Sequence, residues 1–114
     1  MDVKRIVAAI RPFKLEAVRE ALTALGVRGM MISEMNGLGE QQGHTETYRG
    51  TEHNLDFVPR LKLELVVPDA LAGSAVEAIR QAAHTGETGD GKIFVFDVVQ
   101  AVRVRTGETD DDAL

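Results

Sequence analysis

The sequence predicts an α+β fold in which two βαβ halves build one four-stranded antiparallel sheet with two helices on one face. Three observations predict it. Strand-like apolar runs alternate with helical stripes in the order β-α-β, long gap, β-α-β. The chain has 114 residues, enough for one core and too few for two. Hydrophobic residues make up 44% and charged residues 27%, the balance of a folded chain. Aromatics are limited to Tyr48, Phe13, Phe57, Phe94 and Phe96, so the core is expected to be aliphatic.

Val3 to Ile10 reads as a buried strand ended by Arg11-Pro12. Leu15, Val18, Leu22 and Leu25 form one helical stripe, and Gly26 sits where a left-handed C-terminal cap belongs. Gly29 to Met35 is a second strand with partial alternation. From Asn36 to Asp56 the apolar pattern stops, and Gly37, Gly39, Gly43 and Gly50 punctuate a loop of unusual length. The third strand runs from Leu61 to Val67 after Pro59. Leu61, Leu63, Leu65 and Val67 share one face, and Lys62, Glu64 and Val66 the other. Asp69 is a candidate N-cap for a helix reaching about His84 along a stripe of Leu71, Ala75, Val76, Ile79 and Ala83. A glycine-rich turn, residues 85–91, leads into a last strand predicted from Lys92 to Arg105, and an acidic tail follows over 106–114. This order is the split βαβ, or ferredoxin-like, arrangement in a single domain spanning 1–114. No helix covers the second sheet face, so an oligomer that buries it is expected.

Charge narrows the partners. The 13 basic and 18 acidic residues give −5. Four of the acidic residues stand at 108, 110, 111 and 112, which leaves 13 basic against 14 acidic in residues 1–105. That balance offers no basic face for nucleic acid. The absence of cysteine excludes disulfides and thiolate zinc sites. No apolar run is long enough to span a membrane, and residues 1–13 lack the features of a signal peptide, so the expected location is cytoplasmic.

Two features point toward phosphate. Arg103 and Arg105 lie two residues apart on one face of the predicted last strand, about 7 Å along it, a spacing suited to neighbouring phosphates. The alternative is a solvated strand face paired with acids. The turn Gly89-Asp90-Gly91-Lys92 allows backbone N–H groups to converge on an anion, with Lys92 as a point charge. It is not a Walker A loop, because no Gly-x4-Gly-Lys-Ser/Thr opens a helix there. His44, Glu46, Glu52 and His53 could supply metal ligands, but their spacing fits no zinc pattern, and solvated loop polarity is the simpler reading. His84 reads as a cation partner of a helix C-terminus.

The run from Thr85 to Val95 resembles the C-terminal signature of the nitrogen-regulatory PII signal-transduction proteins. Arg11-Pro12-Phe13-Lys14-Leu15, Gly43-His44-Thr45-Glu46, Tyr48-Arg49-Gly50, Asp56-Phe57-Val58-Pro59 and Arg103-Val104-Arg105-Thr106-Gly107-Glu108 fit the same family, over essentially the whole chain. The resemblance implies a homotrimer with ATP and ADP competing for clefts between subunits. It implies that Gly89, Asp90, Gly91 and Lys92 cradle phosphates and that Arg103 and Arg105 reach them. By the same likeness, Gly37 and Gly39 open the loop beside the nucleotide, and Met31, Glu64 and Val66 hold base and ribose. Gln41 falls on the family glutamine that helps bind Mg–ATP and 2-oxoglutarate, and Arg60 on the lysine that pairs a 2-oxoglutarate carboxylate. The loop at about 38–55 corresponds to the arm that contacts a transporter or regulatory enzyme.

The departures from the family lie mostly in that arm. His53 replaces the tyrosine that is nucleotidylated, so no modification is expected there, and Tyr48 is not the family's acceptor. Glu40 and Gln42 replace basic residues flanking the glutamine; the Glu40 carboxylate near the triphosphate is expected to lower ATP preference, and with Arg60 in place of the lysine, 2-oxoglutarate binding is expected to be weak. Met31 replaces a hydroxyl residue. The reading is a non-enzymatic sensor with no metal site of its own beyond Mg carried by the nucleotide. The rivals are a divergent paralogue regulating metal efflux or another transporter, and a slow nucleotide hydrolase using Asp90 or His44 as base.

Overall fold

The computed structural model describes residues 3–40, 46–48, 51–53 and 55–114, with side chains described over 3–36 and 58–114. Strand β1 (Val3–Ile10) is followed by a 3-10 turn (Pro12–Lys14) and helix α1 (Leu15–Ala24). Strands β2 (Met31–Glu40), β3 (Glu46–Tyr48), β4 (Thr51–His53) and β5 (Leu55–Pro68) come next. Helix α2 (Asp69–Ala83), strand β6 (Lys92–Val98) and a 3-10 turn (Asp110–Ala113) complete the order. The main sheet runs β2-β5-β1-β6 with every pair antiparallel, which is the predicted ferredoxin-like arrangement.

Alternation sorts the two sheet faces. Ile6, Ala8 and Ile10 of β1 and Leu63, Leu65 and Val67 of β5 are buried under the helices. They meet Val18 and Leu22 of α1 and Ala72, Ala75, Ile79 and Ala83 of α2. Small residues on α2 let it approach the sheet closely, and aliphatic side chains fill the rest. Helix α1 ends as the sequence predicts. Gly26 adopts φ +91, its N–H donates to the Thr23 carbonyl at 2.9 Å, and the Val27 N–H donates to the Leu22 carbonyl at 3.1 Å. That is a Schellman cap, sealed by burial of both Leu22 and Val27.

Four expectations need correction. Asp69 is not the N-cap of α2; Pro68 holds that position, and Asp69 begins the helix with its carboxylate 3.6 Å from the Lys4 ammonium. The second strand starts at Met31 rather than Gly29. The stretch read as a structureless loop is largely paired: β2 runs on to Glu40, β5 begins at Leu55, and β3 pairs with β4. The β2–β5 ladder beyond Leu61 has no β1 beside it, because β1 stops at Ile10 opposite Leu61. With no third strand to continue the sheet, the ribbon is not held to the alternation of a buried face, and it tolerates Pro59 because β1 does not pair with β5 there. Finally, the last strand ends at Val98 rather than Arg105. The chain then hooks back: Val102 bridges Thr109, the Arg103 N–H donates to the Glu108 carbonyl at 2.8 Å, and the Gly107 N–H donates to the Arg103 carbonyl at 2.7 Å. The acidic segment is thus a folded hook, most of it exposed.

Candidate functional site

The glycine turn between α2 and β6 is wired from within. Asp90 turns its carboxylate inward. One oxygen accepts the backbone N–H groups of Thr85 and Gly86, each at 2.9 Å. The other accepts the Thr85 hydroxyl and, at 3.1 Å, Nε of Arg11. The Thr85 hydroxyl first, then these amides and Arg11, hold the Asp90 carboxyl far below the usual carboxylate range. With four donors on it, Asp90 has no free oxygen for a substrate proton, which removes the hydrolase rival's first candidate base; His44 lies outside the described residues.

Two arginines from outside the turn grip its carbonyls. Arg11, just past β1, donates Nη2 to the Thr88 carbonyl at 2.9 Å. Arg60 of β5 donates Nη2 to the Gly89 carbonyl and Nη1 to the Pro59 carbonyl, both at 2.8 Å. Partial burial and the neighbouring Arg11 charge push the Arg60 pKa down, with Asp90 opposing them. Gly89 and Gly91 take φ +102 and +108, backbone closed to most side chains. At Gly91 a Cβ would stand 1.8 Å from the Ala9 carbonyl oxygen, so the turn crosses β1 where only glycine fits. Among the described residues, the backbone N–H groups of Thr88 and Gly89 have no hydrogen-bond acceptor, while that of Asp90 closes the turn toward the Glu87 carbonyl. Successive free amides in a glycine turn form an anion-binding concavity. Lys92, exposed at the head of β6, has no ion-pair partner among the described residues. Gly89, Asp90, Gly91 and Lys92 line a cleft of about 600 Å³ with Met35, Arg60 and Phe94.

The other predicted residues stand elsewhere in the subunit. Met31, Glu64 and Val66 line a second cleft, of about 690 Å³, beside the C-terminal hook residues Asp111 and Leu114. Glu64 accepts Arg5 Nε at 2.7 Å, with Lys62 at 3.7 Å, and the Arg5 bond is the main cause holding its carboxyl below the usual range. Arg5 also lies over the Phe96 ring, 5.1 Å from its centre. Gly37 and Gly39 do not open a loop; they are strand residues opposite Val58 and Asp56. Arg103 and Arg105 do not share a strand face, because the chain turns between them. Arg103 is engaged by the hook, donating to Glu108 at 3.1 Å and to the Leu114 carbonyl at 2.8 Å. Arg105 is exposed and has no ion pair among the described residues. Gln41 lies outside the described residues, as do the side chains of Glu40, Glu46, Glu52 and His53; the backbones of Glu46 and His53 pair across the β3–β4 hairpin.

Arg11 was legible only as part of a motif. Its partners lie 77 and 79 residues away, and no local pattern announces a contact of that range.

The chain is similar to known proteins over nearly its whole length. The sequence profile of the family described as nitrogen regulatory protein P-II matches residues 3–108. The nitrogen regulatory protein P-II of Rhizobium etli is 55% identical over 112 residues, covering 98% of this chain and all of that protein. Bacillus subtilis GlnK superposes with a TM-score of 0.85 at 33% identity, covering all of both chains. The B. subtilis GlnK–ATP complex gives the same TM-score at 28% identity, covering 99% of this chain and 96% of the other. The fold, the glycine turn and a match over nearly the whole length establish that the chain belongs to the nitrogen regulatory protein P-II family.

Proposed function

We propose that the protein is a non-enzymatic cytoplasmic sensor, a homotrimer that binds ATP and ADP in clefts between subunits. It would regulate a transporter or enzyme through the arm at 38–55. The observation that carries this reading is the turn at Thr88–Asp90, where the Thr88 and Gly89 amides have no acceptor among the described residues and stand beside Lys92, which has no ion pair among them. The similarity to a GlnK that binds ATP supports the nucleotide as ligand.

The trimer explains why the predicted residues form two half-sites. In one subunit the phosphate-directed Gly89–Lys92 and the base-directed Met31, Glu64 and Val66 line different clefts. Juxtaposed subunits would bring one half-site of each kind together. The open sheet face supplies a reason to associate: Met31, Phe94 and Phe96 are 62%, 52% and 45% exposed. Arg103 and Arg105 would join the phosphates once the hook releases Arg103.

Gln41 and Arg60 remain the proposed contacts for 2-oxoglutarate, with Mg held through the nucleotide. Arg60 already donates to two carbonyls, so an incoming carboxylate would compete with them, which favours weak binding. No nucleotidylation is proposed, because His53 has no phenol.

Calorimetry with ADP and Mg–ATP on the unmodified protein and on Lys92→Ala tests the reading. Saturable binding that falls about tenfold or more in the variant is expected, since a charge-assisted contact contributes about 1.5–3 kcal/mol. No binding of either nucleotide, or sedimentation at the mass of one chain, would sink it.

A further inference from the structure

We infer that Arg11 and Arg60 are positioning residues that aim the amides of the glycine turn, and that Arg11 does so by its forked geometry rather than by its charge. The inference rests on the nucleotide-binding reading above for its ligand, and on the turn's hydrogen bonds for its mechanism.

The peptide bonds here are trans and planar, so each carbonyl and the following N–H point in opposite directions. Arg11 draws the Thr88 carbonyl toward itself, which turns the Gly89 N–H away. Arg60 draws the Gly89 carbonyl, which turns the Asp90 N–H away from it and into the bond that closes the turn on Glu87, so the planes that present the Thr88 and Gly89 amides are held from both sides. Two consecutive peptide planes are thereby fixed by two side chains that approach from β1 and β5, the rigid sheet. The residues between them need outside help. Gly89 has the widest conformational freedom of any residue type, and a glycine left unheld samples both signs of φ.

The two arginines do unequal work. Arg11 bridges two acceptors at once, Asp90 through Nε and the Thr88 carbonyl through Nη2. Only a planar fork spans both; a lysine ammonium on a flexible stem satisfies one. Arg60 makes one bond to the turn and one to its own neighbour Pro59, so a lysine can keep the bond that matters.

The test uses the full-length chain and four variants: Arg11→Lys, Arg11→Gln, Arg60→Lys and Arg60→Gln. The first readout needs no nucleotide. Backbone ¹⁵N relaxation should show rigid amides at Thr88–Asp90 in the unmodified protein, with order parameters near 0.85, falling below about 0.6 in Arg11→Lys and Arg11→Gln. The second is calorimetry with ADP and with adenosine. Arg11→Lys should weaken ADP by about tenfold, the equivalent of one charge-assisted bond, and leave adenosine unchanged. Arg60→Lys should stay within about threefold of the unmodified protein, and Arg60→Gln should lose about as much as Arg11→Lys. Unchanged order in Arg11→Lys overturns the inference, as does ADP affinity equal to that of the unmodified protein. An equal loss for adenosine and ADP also overturns it, because that pattern is general damage. If the unmodified protein binds no nucleotide, the functional reading has failed, and the relaxation data still decide the clamp.

Discussion

The glycine turn and the C-terminal hook both carry residues proposed to meet phosphate, and they are wired in opposite senses. In the turn, the side chains that do the holding are Asp90, Arg11 and Arg60, and Lys92 and the Thr88 and Gly89 amides are left without partners among the described residues. In the hook, the arginine expected at the ligand is itself doing the holding, tied to Glu108 and to the Leu114 carbonyl. One region is preorganised for an anion; the other has to let go of an internal anion first. A ligand gains most from groups that need no rearrangement, because the cost of ordering is already met in the free protein.

The largest break in this comparison is Gly91→Ala. The added methyl would overlap the Ala9 carbonyl and sit at φ +108, so a loss of about 3 kcal/mol or more is expected in denaturant unfolding. Gly107→Ala in the hook is the matched control. Gly107 has φ +76 but open space around it, so about 1 kcal/mol is expected. Equal effects at the two sites would show that the turn is no more constrained than the hook.

Ligand affinity sharpens the same contrast at smaller magnitude. Arg103→Ala should weaken ADP by about tenfold, the scale of one charge-assisted contact. Glu108→Gln should strengthen ADP by a few-fold, because it frees Arg103 from an exposed pair of at most about 1 kcal/mol. If neither change alters affinity, Arg103 plays no part in the site and the hook is structural only.

The smallest effect is in pH dependence. Asp90 is held well below an ordinary carboxyl, so its contribution to stability is complete above the unfolded value of about 4. It is lost progressively as pH falls from there toward the depressed native value, because the unfolded chain takes up the proton first. Acid unfolding of Asp90→Asn should therefore run flatter than that of the unmodified chain below about pH 4. Parallel curves would mean that the internal wiring of the turn contributes nothing to the folded state.

The parts legible from sequence are those with local causes. Leu63, Leu65 and Val67 alternate because a face is buried, Gly26 caps because the helix must stop, and Gly89 and Gly91 mark a turn closed to side chains. The ribbon was not legible because Gly37, Gly39 and their neighbours show no apolar alternation, while the backbone pairing with β5 continues past the end of β1. The Val98 end of β6 escaped because Val102 and Val104 continue the alternation beyond the last β1 partner, Val3. The Arg11 and Arg60 contacts depend on tertiary approach, and the short-range pattern around each residue carries no trace of it.

The range of those contacts has a consequence for synthesis of the chain. Strand β1 pairs only with β5 and β6, so it waits without a sheet partner until residues 61–68 have been made. The turn waits longer, since Arg11 meets Asp90 across 79 residues and Arg60 meets Gly89 across 29. Contacts of such separation form late, after the loops between them have closed. On the ribosome, where folding proceeds from the N-terminal side, the glycine turn is among the last features to assemble. A nascent subunit that has not yet made residues 85–91 therefore has no completed turn, and the proposed ligand contacts there can form only after those residues are made.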